Sequence, residues 1–272
     1  MSRTLYWLTQ DLRLDDNAAL LAAARSESLL IVYCIEPRLF SQYRYHTASL
    51  GAHRWQFLKQ SLRDLQQRLA ALGQGIHFVV GAPEHCLREL ATQHGVERLV
   101  SSYRVGVDER RALAAFETLC PRVKLELYDT YTLFERSSNP LPQDRVVSYS
   151  KFRGLAEKQA ITLPLAAPTQ LPPPPMRLQG LAEIPDLSGY AATDCPYRGG
   201  ESAAEAHLRA YLAGRFASVY KQTRNELDGF THSSKLSPWL NAGSLSVRRA
   251  LAESRAFEAS HGANESTYWL FV

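Results

Sequence analysis

Between residues 3 and 130, short apolar runs alternate with longer amphipathic stretches, and no other feature constrains the fold as tightly. Residues 4–8, 29–35, 76–80, 98–101 and 123–128 have the length and the β-branched or aromatic content of buried strands. Leu58, Leu62, Leu65, Leu69 and Leu72 recur at alternating four- and three-residue steps, which puts them on one helix face, and Gly73 follows as a natural stop. Residues 83–94, ended by Gly95, and residues 108–120 supply further helices. Parallel neighbours need crossovers of helical length, and such crossovers are right-handed. The pattern therefore predicts an α/β domain over residues 1–130, built on a doubly wound, mainly parallel five-stranded sheet. Neither GxGxxG nor a P-loop sequence occurs in it, which weighs against dinucleotide-dehydrogenase and P-loop assignments.

A second regime begins near Tyr131. Pro140, Pro142, Pro164, Pro168 and the run Pro172-Pro173-Pro174-Pro175 interrupt regular structure, because proline withholds a backbone donor and favours extended spacers. Residues 131–198 thus read as a connecting segment, irregular from about residue 160, with one short helix over 149–158. From Gly199 the pattern is helical. Ala204, Leu208, Tyr211 and Leu212 share a face, Glu205 and Arg209 form an exposed i,i+4 pair, and helices are expected after Ser237 and Ser246. Residues 199–272 are marginal for a self-sufficient core, so they should pack on the α/β domain or leave apolar surface uncovered.

Composition limits the partners without naming one. The 45% hydrophobic and 21% charged fractions are those of an ordinary globular chain, and a net charge of +4 permits an acidic partner. Residues 199–272 hold eight Lys/Arg against seven Asp/Glu, so nucleic-acid binding cannot rest on charge there. Cys34, Cys86, Cys120 and Cys195 are scattered, and His46 and His53 lack HExxH spacing; reduced thiols and no metal site are expected. No apolar run reaches membrane-spanning length and the start does not read as a secretory signal, which makes the cytoplasm the expected location.

The run Thr231-His232-Ser233-Ser234-Lys235-Leu236-Ser237-Pro238-Trp239-Leu240 carries the chemistry. Ser237 suits an N-cap and Pro238 the first helical position. A helix start offers free N–H groups to an anion, and the hydroxyls of Ser233, Ser234 and Ser237 with the Lys235 ammonium would complete a phosphate cradle. An ordinary capped helix after a polar loop explains the same residues.

Neighbouring motifs favour the cradle. Gly199-Gly200-Glu201, Tyr220-Lys221-Gln222-Thr223-Arg224-Asn225, the serine run and Asn264-Glu265-Ser266-Thr267-Tyr268-Trp269-Leu270 follow one another in order. Together they resemble the start of the flavin-binding helical domain of the photolyase/cryptochrome family, and in particular its DASH-type cryptochromes. Tyr6 to Asn17, reading Tyr-Trp-Leu-Thr-Gln-Asp-Leu-Arg-Leu-Asp-Asp-Asn, looks like that family's opening strand and turn. The resemblance spans the whole chain. Because family members continue beyond the Tyr268-Trp269 motif, the chain is expected to be an amino-terminal half, ending within an all-helical flavin domain.

The resemblance implies FAD, with Tyr220 preceding the phosphate loop formed by Ser233, Ser234, Lys235, Leu236 and Ser237. Two positions depart from the DASH pattern: Leu236 replaces phenylalanine, and Asn241-Ala242-Gly243 replaces Ala-Leu-Gly. Tyr103 to Arg110 resembles the segment whose glutamate contacts 5,10-methenyltetrahydrofolate, which makes Glu109, with Glu157, the antenna candidates. Asp108 and Glu109 also suit a helix start on electrostatic grounds alone. Lys221, Arg224 and Asn225 are candidates for the DNA backbone, or equally an exposed helix face. The implied activity is light-driven repair of cyclobutane pyrimidine dimers, chiefly in single-stranded DNA, with no catalytic side chain of the protein's own. The alternative is a non-enzymatic blue-light photoreceptor or nucleotide-binding interaction module.

Overall fold

Five strands, β1 (Arg3–Leu8), β2 (Ser28–Ile35), β3 (Ile76–Val80), β4 (Arg98–Ser102) and β5 (Lys124–Tyr128), form one sheet in the order β3-β2-β1-β4-β5. Every pair is parallel, and central β1 sets Thr4 opposite Leu29 on one side and Arg98 on the other. The computed structural model describes residues 2–42, 46–138, 148–175, 182–191 and 194–271.

Successive side chains of β1 enter opposite layers, as the pleat requires. Tyr6 and Leu8 pack with Leu29 and Ile31 against α1 (Ala18–Ala23) and α2 (Ala52–Ala70). Leu5 and Trp7 pack with Leu30 and Val32 against α3 (Pro83–His94) and α4 (Val107–Leu119). The leucine stripe of α2 is buried at Leu62, Leu65 and Leu69, with Leu58 and Leu72 half-buried at its margins. Helix α1 has no counterpart in the sequence reading. Its six residues make less than two turns, too few to show a repeating period, and its start is fixed by Asn17, whose side chain accepts from the Leu20 N–H at 3.0 Å.

The connecting segment forms α5 (Tyr149–Ala156), and its proline run lies along the sheet, where the Leu29 N–H donates to the Pro173 carbonyl at 3.0 Å. Pro140 and Pro142 fall outside the described residues. Five helices follow: α6 (Glu201–Ala213), α7 (Tyr220–Thr223), α8 (Ser237–Ala242), α9 (Val247–His261) and α10 (Glu265–Phe271). Ala204, Leu208, Tyr211, Leu212, Trp239 and Phe257 build their core, and Phe57 of α2 joins it edge-on to Trp239 at 5.9 Å. A side chain at Gly199 would collide with the Phe57 carbonyl, so the Gly-Gly pair lets α6 approach α2.

Charged groups complete the junction. Arg13, 2% exposed, donates to the carbonyls of Asp15 (2.9 Å), Asp16 (2.9 Å), Thr130 (2.6 Å) and Gly243 (3.0 Å). Buried Asp16 accepts from Ser246 and from Arg248 at 2.7 and 3.0 Å, and Asp15 pairs with Arg249 at 2.8 Å. Glu201 reaches back to the N–H groups of Leu14 and Asp15 at 2.8 and 2.9 Å. The helical segment therefore packs on the α/β domain.

Candidate functional site

The C-terminal ends of β1 and β2 and the starts of α2, α3 and α4 surround a cavity of about 910 Å³. Strand order reverses between β2-β1 and β4-β5, and such a switch point opens a crevice at the carboxyl edge of a doubly wound sheet. Trp7, Leu8 and Leu12 give it an apolar floor, and Pro238, Asn241 and Ala242 of α8 cover it from the helical side. Asn241 is exposed at this border, so its polar side chain meets no packing conflict.

Glu109 lines the cavity from the first turn of α4. A side chain at Gly106 would collide with its carboxylate, so that glycine makes the room Glu109 occupies. Thr9, also lining the cavity, has a buried hydroxyl with no partner among the described residues. Burial pushes the thiol of Cys34, on the same lining, above its usual range. Arg38 stands at the rim, where Glu36 at 2.5 Å and Asp108 at 2.8 Å take its guanidinium. Glu157 is not part of this lining. It lies just past α5, paired with Arg153 at 3.1 Å and accepting from the Tyr268 hydroxyl at 2.7 Å. The two antenna candidates are thus on different surfaces.

The serine loop lies beyond α8. Lys235 adopts φ 52°, and this left-handed turn starts the helix one residue earlier than the sequence suggests. Ser237 is inside α8, the cap position falls on Leu236, and no side chain caps it. Leu236 itself is buried beside Trp239, so leucine fills the apolar role of phenylalanine there. Two helices grip the loop backbone: His207 of α6 lies 2.8 Å from the Ser234 carbonyl, and the Thr223 hydroxyl of α7 donates to the His232 carbonyl at 2.9 Å. Among the described residues, no hydrogen bond or ion pair engages the side chains of Ser233, Ser234, Lys235 or Ser237. Three hydroxyls and an ammonium without partners form a donor set suited to an acceptor-only anion.

The flanking motifs assemble around this loop. Asn264 caps α10 by accepting from Ser266 and Thr267 at 2.8 and 3.1 Å. The Ser266 hydroxyl accepts from the Lys221 N–H at 3.1 Å and so ties α10 to α7. Tyr220 opens α7 near Tyr211, whose phenol burial pushes well above its usual range. Lys221 pairs with Glu265, Arg224 lies over the Trp269 ring at 4.8 Å, and Asn225 is exposed. Aromatic rings connect loop and cavity. Tyr197, on the cavity lining, meets Trp239 at 5.8 Å, and Trp239 stacks on His207 at 4.6 Å.

Arg13, Asp16, Thr9 and Arg38 were not legible as site or junction residues. The density of charge in Asp11 to Asp16, beside apolar β1, was the available signal.

Comparisons with known proteins agree with this architecture. Residues 4–175 match the sequence model of the family described as DNA photolyase. The chain is 35% identical over 268 residues to Cryptochrome DASH of Idiomarina loihiensis, covering 98% of this chain and 60% of that protein. It is also 35% identical over 274 residues to Cryptochrome DASH of Vibrio parahaemolyticus, with the same coverage. A crystal structure of a Synechocystis cryptochrome superposes with a TM-score of 0.91 at 32% identity, over 98% of this chain and 58% of that one. An archaeal photolyase from Sulfolobus tokodaii, solved with two FAD molecules, shares the fold at 16% identity and a TM-score of 0.69, covering 98% of this chain and 57% of that one. The chain spans about 60% of the length of the curated relatives it matches. It belongs to the DNA photolyase family, and its relatives there are DASH-type cryptochromes.

Proposed function

We propose that this chain holds the pyrophosphate of FAD on the Ser233–Ser237 loop and a 5,10-methenyltetrahydrofolate antenna in the cavity beside Glu109. It would thereby serve blue-light repair of cyclobutane pyrimidine dimers, chiefly in single-stranded DNA, in the cytoplasm. The observation that carries the flavin reading is the loop's unpartnered donor set, which matches phosphate oxygens in charge and hydrogen-bonding sense. The folate reading is supported by a cavity of about 910 Å³ with an apolar floor and with Glu109 and the unpartnered Thr9 hydroxyl on its lining.

FAD held there would supply light-driven one-electron chemistry toward the dimer. The protein's own share is placement. Ser233, Ser234 and Ser237 would donate hydroxyl hydrogen bonds to the pyrophosphate, and Lys235 would neutralise its charge. Tyr220 would flank the cofactor, and Leu236 anchors the loop in the helical core. Glu109 would accept from the donor edge of a pterin. Lys221, Arg224 and Asn225 would meet the DNA backbone, which requires Lys221 to leave Glu265. A damaged base must swing out of its strand to reach a buried cofactor.

Visible absorption of the purified chain, before and after addition of FAD and methenyltetrahydrofolate, tests both cofactors. A flavin spectrum in the native chain that is lost in Lys235→Glu is the expected result. Equal flavin retention in the variant refutes the loop assignment. A blue-light receptor without repair would keep both chromophores yet show no dimer cleavage on an irradiated oligonucleotide.

A further inference from the structure

The two helical layers give the cavity two chemically different walls. From the layer of α2 come His53 and Arg54. From the opposite layer come Glu84 of α3 and Asp108 and Glu109 of α4, with Arg111 as the one cation on that side among the described residues. Arg38 cannot serve an incoming anion freely, because Glu36 and Asp108 already hold it. Among the described residues, Arg54 donates only to the Ser49 carbonyl, at 3.0 Å, and no carboxylate pairs with it or with His53. Between the walls lies the apolar floor of Trp7, Leu8 and Leu12.

A neutral heterocycle would use the floor and the accepting wall and leave Arg54 and His53 idle. A ligand with an anionic tail uses all three. Taking the cavity as the antenna site, a reading on which this step depends, we infer that it selects its ligand by negative charge on the tail, with His53 and Arg54 as the residues that read it. The ring's hydrogen-bond-donating edge turns toward Glu109 and the tail toward the start of α2. Carboxylates of a folate and the phosphate of a flavin nucleotide share this chemistry. Each added carboxylate should tighten binding about threefold, the size of one exposed ion pair, and salt should erase the gain.

The test is a fluorescence titration of the full chain at low and high salt. Its ligands are methenyltetrahydrofolate as monoglutamate and as triglutamate. The expected result is roughly tenfold tighter binding of the triglutamate at low salt. That ratio should fall toward one at high salt and in the double variant His53→Gln, Arg54→Gln, whose circular dichroism should match the native chain. A ratio near one in the native chain, or an undiminished ratio in the variant, overturns the inference. If neither folate binds, the folate reading fails separately, and FMN against riboflavin carries the test in a Lys235→Glu chain, so that the serine loop does not contribute. FMN favoured about threefold or more, and equalised by the double substitution, sustains the inference. Equal binding of the two flavins, or none, overturns it.

Discussion

The α/β half and the helical half of this chain are held by different forces. Two apolar clusters on opposite faces of the sheet bury Leu5, Leu30, Leu62 and Phe116 to 1% exposure or less. The helical half has one cluster and leaves Leu227 and Phe230 exposed. Besides the contact of Phe57 with Trp239, it meets the α/β half through Arg13, Asp16 and Glu201, which are nearly as buried as any leucine. Apolar layers tolerate imperfect partners, but a buried charge that loses its partner is costly. The junction should therefore be the place where a single substitution separates the halves.

Asp16→Ala gives the largest expected separation. It strips Arg248, 5% exposed, of its buried partner and should cost about 3–5 kcal/mol of docking free energy. Hydrogen exchange in α6 to α10 should rise by orders of magnitude while β1, β2 and β4 keep their protection. Leu62→Ala, expected at about 2–5 kcal/mol, should instead lower protection in both halves together. If Asp16→Ala melts the sheet in step with the helices, the two halves are one cooperative unit and the contrast is wrong.

The halves should also respond to pH with opposite sign. Burial pushes the Glu201 carboxyl up to about 7, against the pull of Arg68 and of the two backbone donors that favour the charged form. Its folded value lies above its unfolded one. Its stabilising contribution is therefore fully present below about pH 4.5 and is lost as pH rises through about 7, a difference of about 3 kcal/mol. Glu126 in β5 is the reverse case. The Arg98 guanidinium at 2.7 Å holds it down at about 2, so its contribution is present above about 4.5 and lost as pH falls toward 2. Thermal melts followed in each half between pH 5 and 8 should show the junction weakening with rising pH in the native chain. Glu201→Gln should flatten that slope, and an unchanged slope would assign it elsewhere.

This contrast also explains what the sequence disclosed. Buried parallel strands announce themselves, because Leu29 to Ile35 must be apolar on both faces, and the sheet was legible almost to the residue. The short α1 was not, having less than two turns in which to show a period. The start of α8 was misplaced by one residue because the left-handed turn falls on Lys235, a residue type that gives no sign of it. The junction was illegible for another reason: Arg13 and Gly243 meet across 230 residues, and no local pattern records such a distance. The cavity shares that difficulty, since Thr9, Arg38, Arg54, Glu109 and Tyr197 come from separate segments.

Gly106→Ala is the smallest predicted effect and the sharpest probe of the cavity. Gly106 lies at φ −60° and ψ 141°, which alanine adopts without strain, so stability should change by less than about 1 kcal/mol. The added methyl group nevertheless claims the space of the Glu109 carboxylate and must turn it away. If Glu109 orients the antenna, the variant should keep its thermal midpoint, its flavin and the pH slope of its junction while losing roughly tenfold in methenyltetrahydrofolate affinity, about one charge-assisted hydrogen bond. Loss of flavin as well would mean that the cavity and the serine loop are coupled, most directly through Tyr197, Trp239 and His207. Unchanged folate affinity would remove Glu109 from the site, and leave its carboxylate the plain electrostatic role of an acid in the first turn of α4.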